Sequence, residues 1–407
     1  MRHLTLLFIS LITLTASAQS PSSWQTDVAS WLQEVESNNL SLKAMRHSNA
    51  ASALDRKADN ALGETSVEYS PFFSKGYDGV SSSELIVSQE IDFPTAYASR
   101  SRVNAARQTV DELQYMALRR DVMLQAECLL IDLQSAMLSA AVLTSRFHAT
   151  DSLLNAYERR LALGDASVLE VNRIKLDRMS TRTEIIRNQS LIGNICNEMT
   201  ALNGGVRPAV IASMPKAETL DHGSLTQLMD AGLDAPSADA TLLSANIDVQ
   251  LAEASLSATS RELSLTRQQL LPRLTLGYRR NTEMNEASNG FLLGVSMPLF
   301  ASSRRTKASR LRQSAAELEL QDTRISTEKT HDALSSQLIL LRTAIDTYDV
   351  PLMQSMLTLL DKAVAAGQIS VIEYFNETDL IYGKLAERIA LVNEYRQISA
   401  KIKRIKD

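Results

Sequence analysis

Residues 164–171 read Gly-Asp-Ala-Ser-Val-Leu-Glu-Val, and residues 367–374 read Gly-Gln-Ile-Ser-Val-Ile-Glu-Tyr, so one motif occurs twice. The shared glycine can end a helix because it adopts a left-handed backbone without a Cβ clash. The serine three residues later can cap the next helix, and the glutamate three residues after it completes a capping box. Each copy is therefore predicted to be the tight turn of a long helical hairpin.

The segments around the two turns also repeat. Pro94 and Pro298 are 204 residues apart, and Gly164 and Gly367 are 203 residues apart. Each half contains a helix, two alternating segments typical of strands, a long helix, the turn and a final helix. The sequence therefore predicts a mainly α protein with a small β part, built from two tandem repeats of long antiparallel coiled-coil hairpins.

These patterns predict a signal peptide at 1–18, a first repeat at 19–205, a connector at 206–240 and a second repeat at 241–407. In the first repeat, the predicted elements are a helix at 24–62, strands at about 65–73 and 84–93, a long helix at 94–163, the tip turn at 164–167 and a helix at 168–203. In the second repeat, they are a helix at 242–271, strands at about 272–281 and 290–300 with a polar loop at 281–289 between them, a long helix at 299–366, the tip turn at 367–370 and a helix at 370–405. Pro351 is expected to bend the second long helix without ending it.

The N-terminus has the features of a secretory signal: basic Arg2, an apolar core and a small-residue cleavage site ending at Ala18. A membrane anchor is the alternative, but the apolar core is shorter than the roughly 20 residues that a spanning helix needs. Cleavage would remove one base and no acid, which changes the net charge from −5 to −6. The mild acidity and the lack of a basic block argue against a nucleic-acid partner.

The first long helix carries a regular apolar seam, which Thr150 alone interrupts. Its residues alternate in steps of three and four: Leu129, Leu133, Ala136, Ala140, Leu143, Phe147, Leu154, Tyr157 and Leu161. Such a seam favours a coiled coil over a single exposed helix. After the signal, no apolar run is expected to reach the length of a spanning helix, so any membrane crossing is assigned to the strands.

Four strands cannot close a barrel, and open sheet edges are costly in lipid. Several copies of the chain would have to share one barrel, with two copies giving a filled interior and three giving a wider lumen. The signal, the duplication and the Gly-x-x-Ser-Val turns together resemble the TolC family of outer-membrane efflux channels. The resemblance covers nearly all of residues 24–405 and implies a homotrimer whose strands form one shared transmembrane barrel.

The resemblance also implies a location and partners. The barrel would lie in the outer membrane of a Gram-negative bacterium, in contact with its lipid, and the helices would form a periplasmic tube. The tube would dock onto a periplasmic adaptor, or membrane fusion, protein, which joins an inner-membrane pump. The length of the chain is similar to members that serve pumps of the resistance-nodulation-division type. The cargo would be small molecules or heavy-metal cations.

Three residues near the second turn are candidates for the pore constriction. By resemblance, Glu373 would form an acidic ring at the periplasmic mouth, although it could also serve simply as the helix cap. Asn376 stands where the family often has a second acid. Ile369 replaces the arginine that, in well-known members, pairs with an acid on the neighbouring hairpin, here the position of Glu170. The usual ion-pair latch is therefore predicted to be absent, with closure left to apolar packing.

The two turns are the predicted adaptor-docking tips, since small residues allow a partner backbone to approach closely. The alternative is that these residues are small because a tight turn requires it. The docking residues are Leu163, Gly164, Asp165, Ala166, Ser167, Ala366, Gly367, Gln368, Ile369 and Ser370.

No catalytic, cofactor or metal site is predicted. The thirteen methionines invite a copper hypothesis, but methionine commonly fills gaps in helical cores, and the five histidines show no ligand spacing. Cys128 and Cys196 could form a disulfide after export, but their stagger about the hairpin turn favours free thiols. Two other functions stay open: a duct for polypeptide secretion of type I, and a soluble periplasmic coiled-coil scaffold.

Overall fold

A computed structural model describes residues 23–76, 78–213, 233, 245–283, 286–297 and 302–406. The predicted signal peptide, most of the predicted connector and residues 298–301 lie outside the described residues. The first half contains α1 (Ser23–Asn38), α2 (Leu40–Ala58), β1 (Thr65–Phe72), β2 (Ser82–Ile91), α3 (Pro94–Ala162), α4 (Val168–Leu202) and the short α5 (Ala209–Ser213). The second half contains α6 (Ile247–Gln268), β3 (Arg273–Glu283), β4 (Glu286–Ser296), α7 (Ser302–Ile345), α8 (Val350–Ala365) and α9 (Val371–Lys406).

The helices form a layer in which the first-half helices lie on one side and the second-half helices on the other, with α3 in contact with both. Towards the turns, α3 packs between α4 and α9, and α8 packs against α9. Towards the sheet, α3 packs against α2 and α6, and α6 packs against α7. The four strands form one antiparallel sheet in the order β1-β2-β3-β4. The expectation of a mainly α chain with a small antiparallel β part is confirmed.

The second strand pair is longer than the sequence suggested. The pattern predicted a polar loop at residues 281–289, but the pairing of β3 with β4 continues to Glu283 opposite Glu286. Polar residues can continue a β-hairpin when the backbone N–H and C=O groups of the two strands still form hydrogen bonds with each other.

Two helices predicted to be continuous are interrupted. The first helix stops at Asn38 and restarts at Leu40, because the Asn39 side chain accepts a hydrogen bond from the Leu42 N–H and starts a new helix. The second long helix ends at Ile345 and restarts at Val350, so the expected bend at Pro351 was wrong. Pro351 cannot donate a backbone hydrogen bond, and the Asp349 carboxylate instead caps the Leu352 N–H at 2.9 Å.

The predicted coiled-coil seam on α3 lies only partly in the core. Leu129, Leu133 and Ala136 are buried in one cluster with Trp31, and Leu154 and Tyr157 are buried near the turns. The remaining apolar seam residues are half-buried: Ala140, Leu143, Phe147 and Leu161. Among the described residues, buried apolar side chains form separate clusters at successive levels along the helices.

Among the described residues, one helix, α3, contains a stretch that is long and apolar enough to cross a membrane. This finding differs from the sequence-based expectation, which found no apolar run of that length. Core helices can have the same length and composition, and α3 packs against α2, α4, α6 and α9 along its length. We therefore assign the apolar window to the coiled-coil core.

A matched pair of asparagines joins helices end to end in the two halves. Asn39 caps α2 and donates its Nδ2 hydrogen to the Leu202 carbonyl at the end of α4, at 2.9 Å. Asn246 caps α6 and donates to the Ile405 carbonyl at the end of α9, also at 2.9 Å. Both side chains are buried. Each asparagine thus satisfies an N–H at the start of one helix and a carbonyl at the end of another.

Replacing Asn246 by alanine is expected to lower the free energy of unfolding by about 1–3 kcal/mol, since it removes a helix cap and a buried hydrogen bond. Asn246→Ser keeps a capping oxygen but cannot reach the Ile405 carbonyl, so it should lose less. Urea unfolding followed by circular dichroism measures both values. An alanine variant as stable as the parent would contradict the joint described above.

Candidate functional site

Both turns have the local geometry that their sequences predict. Gly164 and Gly367 adopt positive φ angles of 78° and 71°, the left-handed region that favours glycine. The Asp165 N–H donates to the Arg160 carbonyl at 2.8 Å, and the Gln368 N–H donates to the Ala363 carbonyl at 2.9 Å. These bonds close the preceding helices in the Schellman pattern.

Each turn is followed by a capping box. In the first copy, the Ser167 N–H donates to Glu170 at 2.7 Å, and the serine hydroxyl accepts from the Leu169 N–H. In the second, the Ser370 N–H donates to Glu373 at 2.8 Å, and the serine hydroxyl accepts from the Glu373 N–H at 3.2 Å. The hydrogen bond from the Ser370 backbone lowers the pKa of the Glu373 carboxyl. Glu373 is therefore a helix cap that stays ionised and exposed.

The predicted tip residues divide into an exposed set and a packed set. Leu163 is 83% exposed, and Asp165, Ser167, Gln368 and Ser370 are exposed with it. Ala166 and Ile369 instead pack against the buried residues beneath the turns. Asn376 is exposed one turn after Glu373.

Beneath the turns lies an apolar cluster, here called the tip cluster, that joins the two hairpins. Its buried members are Leu153, Leu154, Tyr157, Val171, Ile174, Val364, Val371, Tyr374 and Phe375. Tyr374 and Phe375, which follow Glu373 directly, are both buried in this cluster. The Tyr374 hydroxyl donates to Asp361 at 2.7 Å, and burial followed by this bond raises the pKa of Tyr374.

A polar group that sequence reasoning missed lies beside the tip cluster. Arg146 on α3 contacts Asp177 on α4 and Asp379 on α9, each at 2.5 Å. The Thr150 hydroxyl donates to the second oxygen of Asp177 at 3.0 Å, and the Arg146 guanidinium lies 5.2 Å from the centre of the Tyr382 ring. We call these five residues the Arg146 layer.

The Arg146 layer holds a charged group inside the helical layer. Burial works to lower the pKa of Arg146, but the charge and hydrogen bond of Asp177 and the charge of Asp379 outweigh it, so the pKa is raised. The one polar residue in the predicted seam, Thr150, was the sequence signal for this layer. A hydroxyl at a seam position indicates a polar partner on the facing helix.

The sheet has one apolar face and one polar face. Residues directly opposite each other in an antiparallel pair lie on the same face, and successive residues alternate. The register therefore places on one face Val67, Tyr69, Leu85, Val87, Ile91, Leu274, Leu276, Tyr278, Phe291, Leu293 and Val295. This face is mostly apolar across all four strands, with Gln89 in its middle and Arg280 and Asn289 towards the hairpin end. On β1, β3 and β4 its apolar side chains are largely exposed.

The opposite face of the sheet carries charges and small residues. Arg279 forms an ion pair with Glu84 at 2.5 Å across β2 and β3. Gly277 lies on the same face, and a Cβ at this position would come within 2.7 Å of the Val87 carbonyl. A sheet with this division of faces suits contact with an apolar medium on one side and water on the other.

The described residues were also compared with the requirements of metal binding and of reactive thiols. Within the part of the chain that is described, no group of three His, Cys, Asp or Glu side chains is placed to hold a metal ion. Cys128 and Cys196 are free and half-buried, and burial raises the pKa of both thiols. Neither thiol therefore has the lowered pKa of a reactive cysteine.

No protein-family model and no curated protein sequence matches this chain. Among solved structures, CusC, described as forming a transmembrane channel, is similar at 16% identity, with a TM-score of 0.70 over 96% of this chain and 95% of CusC. The outer-membrane channel OprN has 14% identity and a TM-score of 0.75 over 94% of this chain and 90% of its own. The CmeC outer-membrane channel of Campylobacter jejuni has 12% identity and a TM-score of 0.73 over 100% and 94% of the two chains. The expected resemblance is confirmed for the fold: the chain has the fold of these outer-membrane channels.

Proposed function

We propose that the protein is the outer-membrane channel of a tripartite efflux system, a passive duct rather than an enzyme. The carrying observation is the four-stranded sheet with one largely apolar face, attached to one end of long helical hairpins. In a membrane barrel, the apolar face of the sheet would contact lipid and the charged face would contact water. The shared fold with CusC, OprN and CmeC supports the same conclusion, and a soluble scaffold would leave this face in water.

The active form is a homotrimer in this proposal. Strands β1 and β4 each have one neighbour within the sheet, so each presents a free edge to another copy. Three chains would close a barrel of twelve strands and leave an open lumen. Pairing between copies would also remove the sheet edges, which lipid does not tolerate.

The helical layer supports the trimer through the helices at its two sides. Helix α4 lies at one side and exposes an apolar stripe formed by Leu169, Leu176, Met179, Ile186 and Leu191. Helices α7 and α8 lie at the other side. On α7, Leu311, Leu318 and Ile325 are exposed at intervals of seven residues, and Ile339 is exposed fourteen residues further on. On α8, Leu352 and Leu359 are exposed seven residues apart. A heptad stripe requires a partner helix, and a neighbouring copy would supply one on each side.

The turns would lie at the periplasmic end of the tube and bind an adaptor protein. The exposed tip residues, among them Leu163 and Gln368, provide a surface at both hairpin ends. The adaptor would connect the tube to an inner-membrane pump, which we propose to be of the resistance-nodulation-division type. Small molecules or heavy-metal cations are the proposed cargo, and type I polypeptide secretion is the alternative for the same duct.

This function is tested by membrane fractionation and by the size of the purified complex. The protein is expected in the outer-membrane fraction, resistant to alkaline carbonate, and trimeric in detergent by light scattering. Complete recovery in the soluble periplasmic fraction would overturn the channel proposal in favour of a scaffold.

We propose that Glu373 forms the charged ring of the periplasmic mouth. The Glu373 carboxylate is exposed and ionised at neutral pH, and its lowered pKa extends ionisation to more acidic pH. Three such carboxylates would attract cations into the constriction. Asn376 would line the pore one helical turn further along α9. The constriction would then have one ring of carboxylates, from Glu373. Ile369 would pack beneath this ring.

The Glu373→Ala variant is expected to weaken the block of single-channel current by multivalent cations by about tenfold in blocking concentration, because the focused negative charge is lost. Glu170→Ala is the matched control, since Glu170 has the same capping role in the first turn. Planar-bilayer recordings measure both. Equal loss of block in the two variants would place the effect in the helix cap instead of the pore.

A further inference from the structure

We propose that a basic cluster near the start of α7 binds the head groups of anionic phospholipids. The cluster, here called the basic collar, consists of five exposed side chains: Arg304, Arg305, Lys307, Arg310 and Arg312. This inference rests on the proposed channel function, which places lipid against the sheet. The basic collar would then hold the periplasmic leaflet of the membrane at the junction between the sheet and the helices.

The basic collar lies where the helices meet the sheet. The Ser309 hydroxyl, in the middle of this stretch, shares a hydrogen bond with the Thr266 hydroxyl at 3.0 Å, and α6 ends two residues after Thr266. Gln268, the last residue of α6, accepts a hydrogen bond at 2.7 Å from Thr95 in the first turn of α3. Because α7 follows β4 and runs away from the sheet, the first three bases of the collar lie closer to the sheet than Ser309 does.

The chain around the basic collar contains no acidic residue. No aspartate or glutamate occurs between Glu286 and Glu317, although the whole protein has more acids than bases, 47 against 42. Among the described residues, the first ion pair along α7 joins Arg324 to Glu253, twelve residues beyond Arg312. Within the described ranges, the collar is therefore not neutralised by an acid of the same chain.

The first repeat shows how the equivalent charge can be neutralised. The offset of 204 residues that relates the two prolines makes Arg304 equivalent to Arg100, which forms an ion pair with Asp92 at 2.6 Å. The residue equivalent to Asp92 is Ser296, so the second repeat has no acid at this position. The other four bases of the collar stand where the first repeat has uncharged residues: Ser101, Val103, Ala106 and Gln108.

The basic collar does not stabilise its own helix. The start of a helix carries a partial positive charge, which disfavours basic side chains there. The first turn of α7 contains no acid that would compensate. The five bases also repel one another, since all have the same sign. An anion from outside the chain would offset both effects.

The position of the basic collar favours a lipid head group as this anion. The apolar face of the sheet would contact the hydrocarbon core, so the collar beside it would lie near the phosphate groups of the same leaflet. Arginine binds phosphate oxygens through two parallel N–H groups, and its long side chain can extend along the protein to the membrane surface. Each base near an anionic membrane surface adds to the attraction.

A neighbouring copy of the chain is the alternative source of negative charge. In the proposed trimer, α7 would face α2 of the next copy, because these two helices lie at opposite sides of the layer near the sheet. The end of α2 carries Asp55 and Asp59, but Arg56 and Lys57 lie between them, so this segment adds no net charge. It therefore does not neutralise five bases, whereas an anionic lipid surface does.

Native mass spectrometry of the full-length protein in detergent tests this proposal. The probe is dioctanoyl-phosphatidylglycerol, and dioctanoyl-phosphatidylcholine is its counterpart without net charge. The parent protein is expected to bind the anionic lipid more tightly. The double variant Arg304→Gln/Arg305→Gln should weaken this binding by about 10- to 25-fold, up to roughly fivefold for each base. Arg304→Lys/Arg305→Lys keeps both charges and should retain most of the affinity.

The double variant Arg182→Gln/Arg187→Gln is the matched control. Both arginines are exposed on α4, and the adjacent Asn188 donates to the Ala136 carbonyl near the middle of α3, far from the sheet. This variant loses the same charge and should leave the affinity for the anionic lipid unchanged. Circular dichroism verifies that each variant is folded, and light scattering measures its oligomeric state.

The outcomes separate the basic collar from the channel. Absence of the parent protein from the outer-membrane fraction would overturn the channel function. Equal binding of the two lipids, or an equal loss in the two glutamine variants, would overturn the basic collar alone. Displacement of the anionic lipid by millimolar inorganic phosphate would also overturn it, because the site would then bind any phosphate. Loss of the oligomer with unchanged lipid affinity in Arg304→Gln/Arg305→Gln would assign the bases to contacts between copies instead.

Discussion

Replacing Leu293 by arginine is expected to prevent stable insertion of the protein into a lipid bilayer. Leu293 is 79% exposed and lies on the apolar face of the sheet, opposite Leu276 of β3. An arginine facing lipid near the bilayer centre costs about 2–4 kcal/mol in a barrel. The proposed trimer would carry three copies, so the loss should be nearly complete. Flotation with lipid vesicles and resistance to alkaline carbonate measure insertion.

The neighbouring leucine provides a matched control. Leu292 is on the same strand but on the polar face, where it lies opposite Gly277. The Leu292→Arg variant places the same charge towards the proposed lumen and should insert as the parent does. If both variants inserted equally well, the assignment of the apolar face to lipid would be wrong. If both failed equally, the charge would be acting on folding and not on the contact with lipid.

Trp31→Ala is expected to lower the free energy of unfolding by about 3–5 kcal/mol, the usual cost of removing a large buried aromatic side chain. Trp31 is 1% exposed and is a member of the apolar cluster that joins α1 to α3 and α4. Its indole N–H donates to the Ala126 carbonyl at 3.0 Å, which ties α1 to the long helix. Urea unfolding of the detergent-solubilised protein, followed by circular dichroism, measures the loss.

Two further substitutions separate the contributions at this position. Trp31→Phe keeps most of the apolar contact and removes the hydrogen bond, so it should cost about 1–2 kcal/mol. Leu54→Ala, at a site that is 66% exposed, should change stability by less than about 0.5 kcal/mol. A loss below about 1 kcal/mol for Trp31→Ala would show that this cluster is not a cooperative core.

Features that depend on neighbouring residues in the chain were predictable. The glycine and serine of each turn form the expected helix end and capping box, because their partners are within five residues. The alternation of apolar and polar residues within each strand was visible in the sequence. The register then places Val67 of β1 opposite Val87 of β2, on the same face of the sheet. The seam on α3 was predictable because its spacing matches the helical repeat.

The interruptions of the helices were less accessible to sequence reasoning. Asn39 and Asn246 read as ordinary polar positions, yet each caps one helix and binds the end of another, more than 150 residues away. The polar loop expected at residues 281–289 was replaced by strand pairing, which depends on both strands together. Secondary-structure propensity depends on the residues of one segment, whereas strand pairing and contacts between helix ends depend on two segments that are distant in the sequence.

The amino-acid sequence by itself determined the duplicated order of helices, strands and turns, and the resemblance in fold to outer-membrane channels. Only the tertiary structure decided which side chains meet between the hairpins. It buried Tyr374 and Phe375 in the tip cluster and brought Arg146 to Asp177 and Asp379. The physical reason is distance along the chain: caps and periodicity act within a few residues, whereas Arg146 and Asp379 are 233 residues apart and meet only once the hairpins pack.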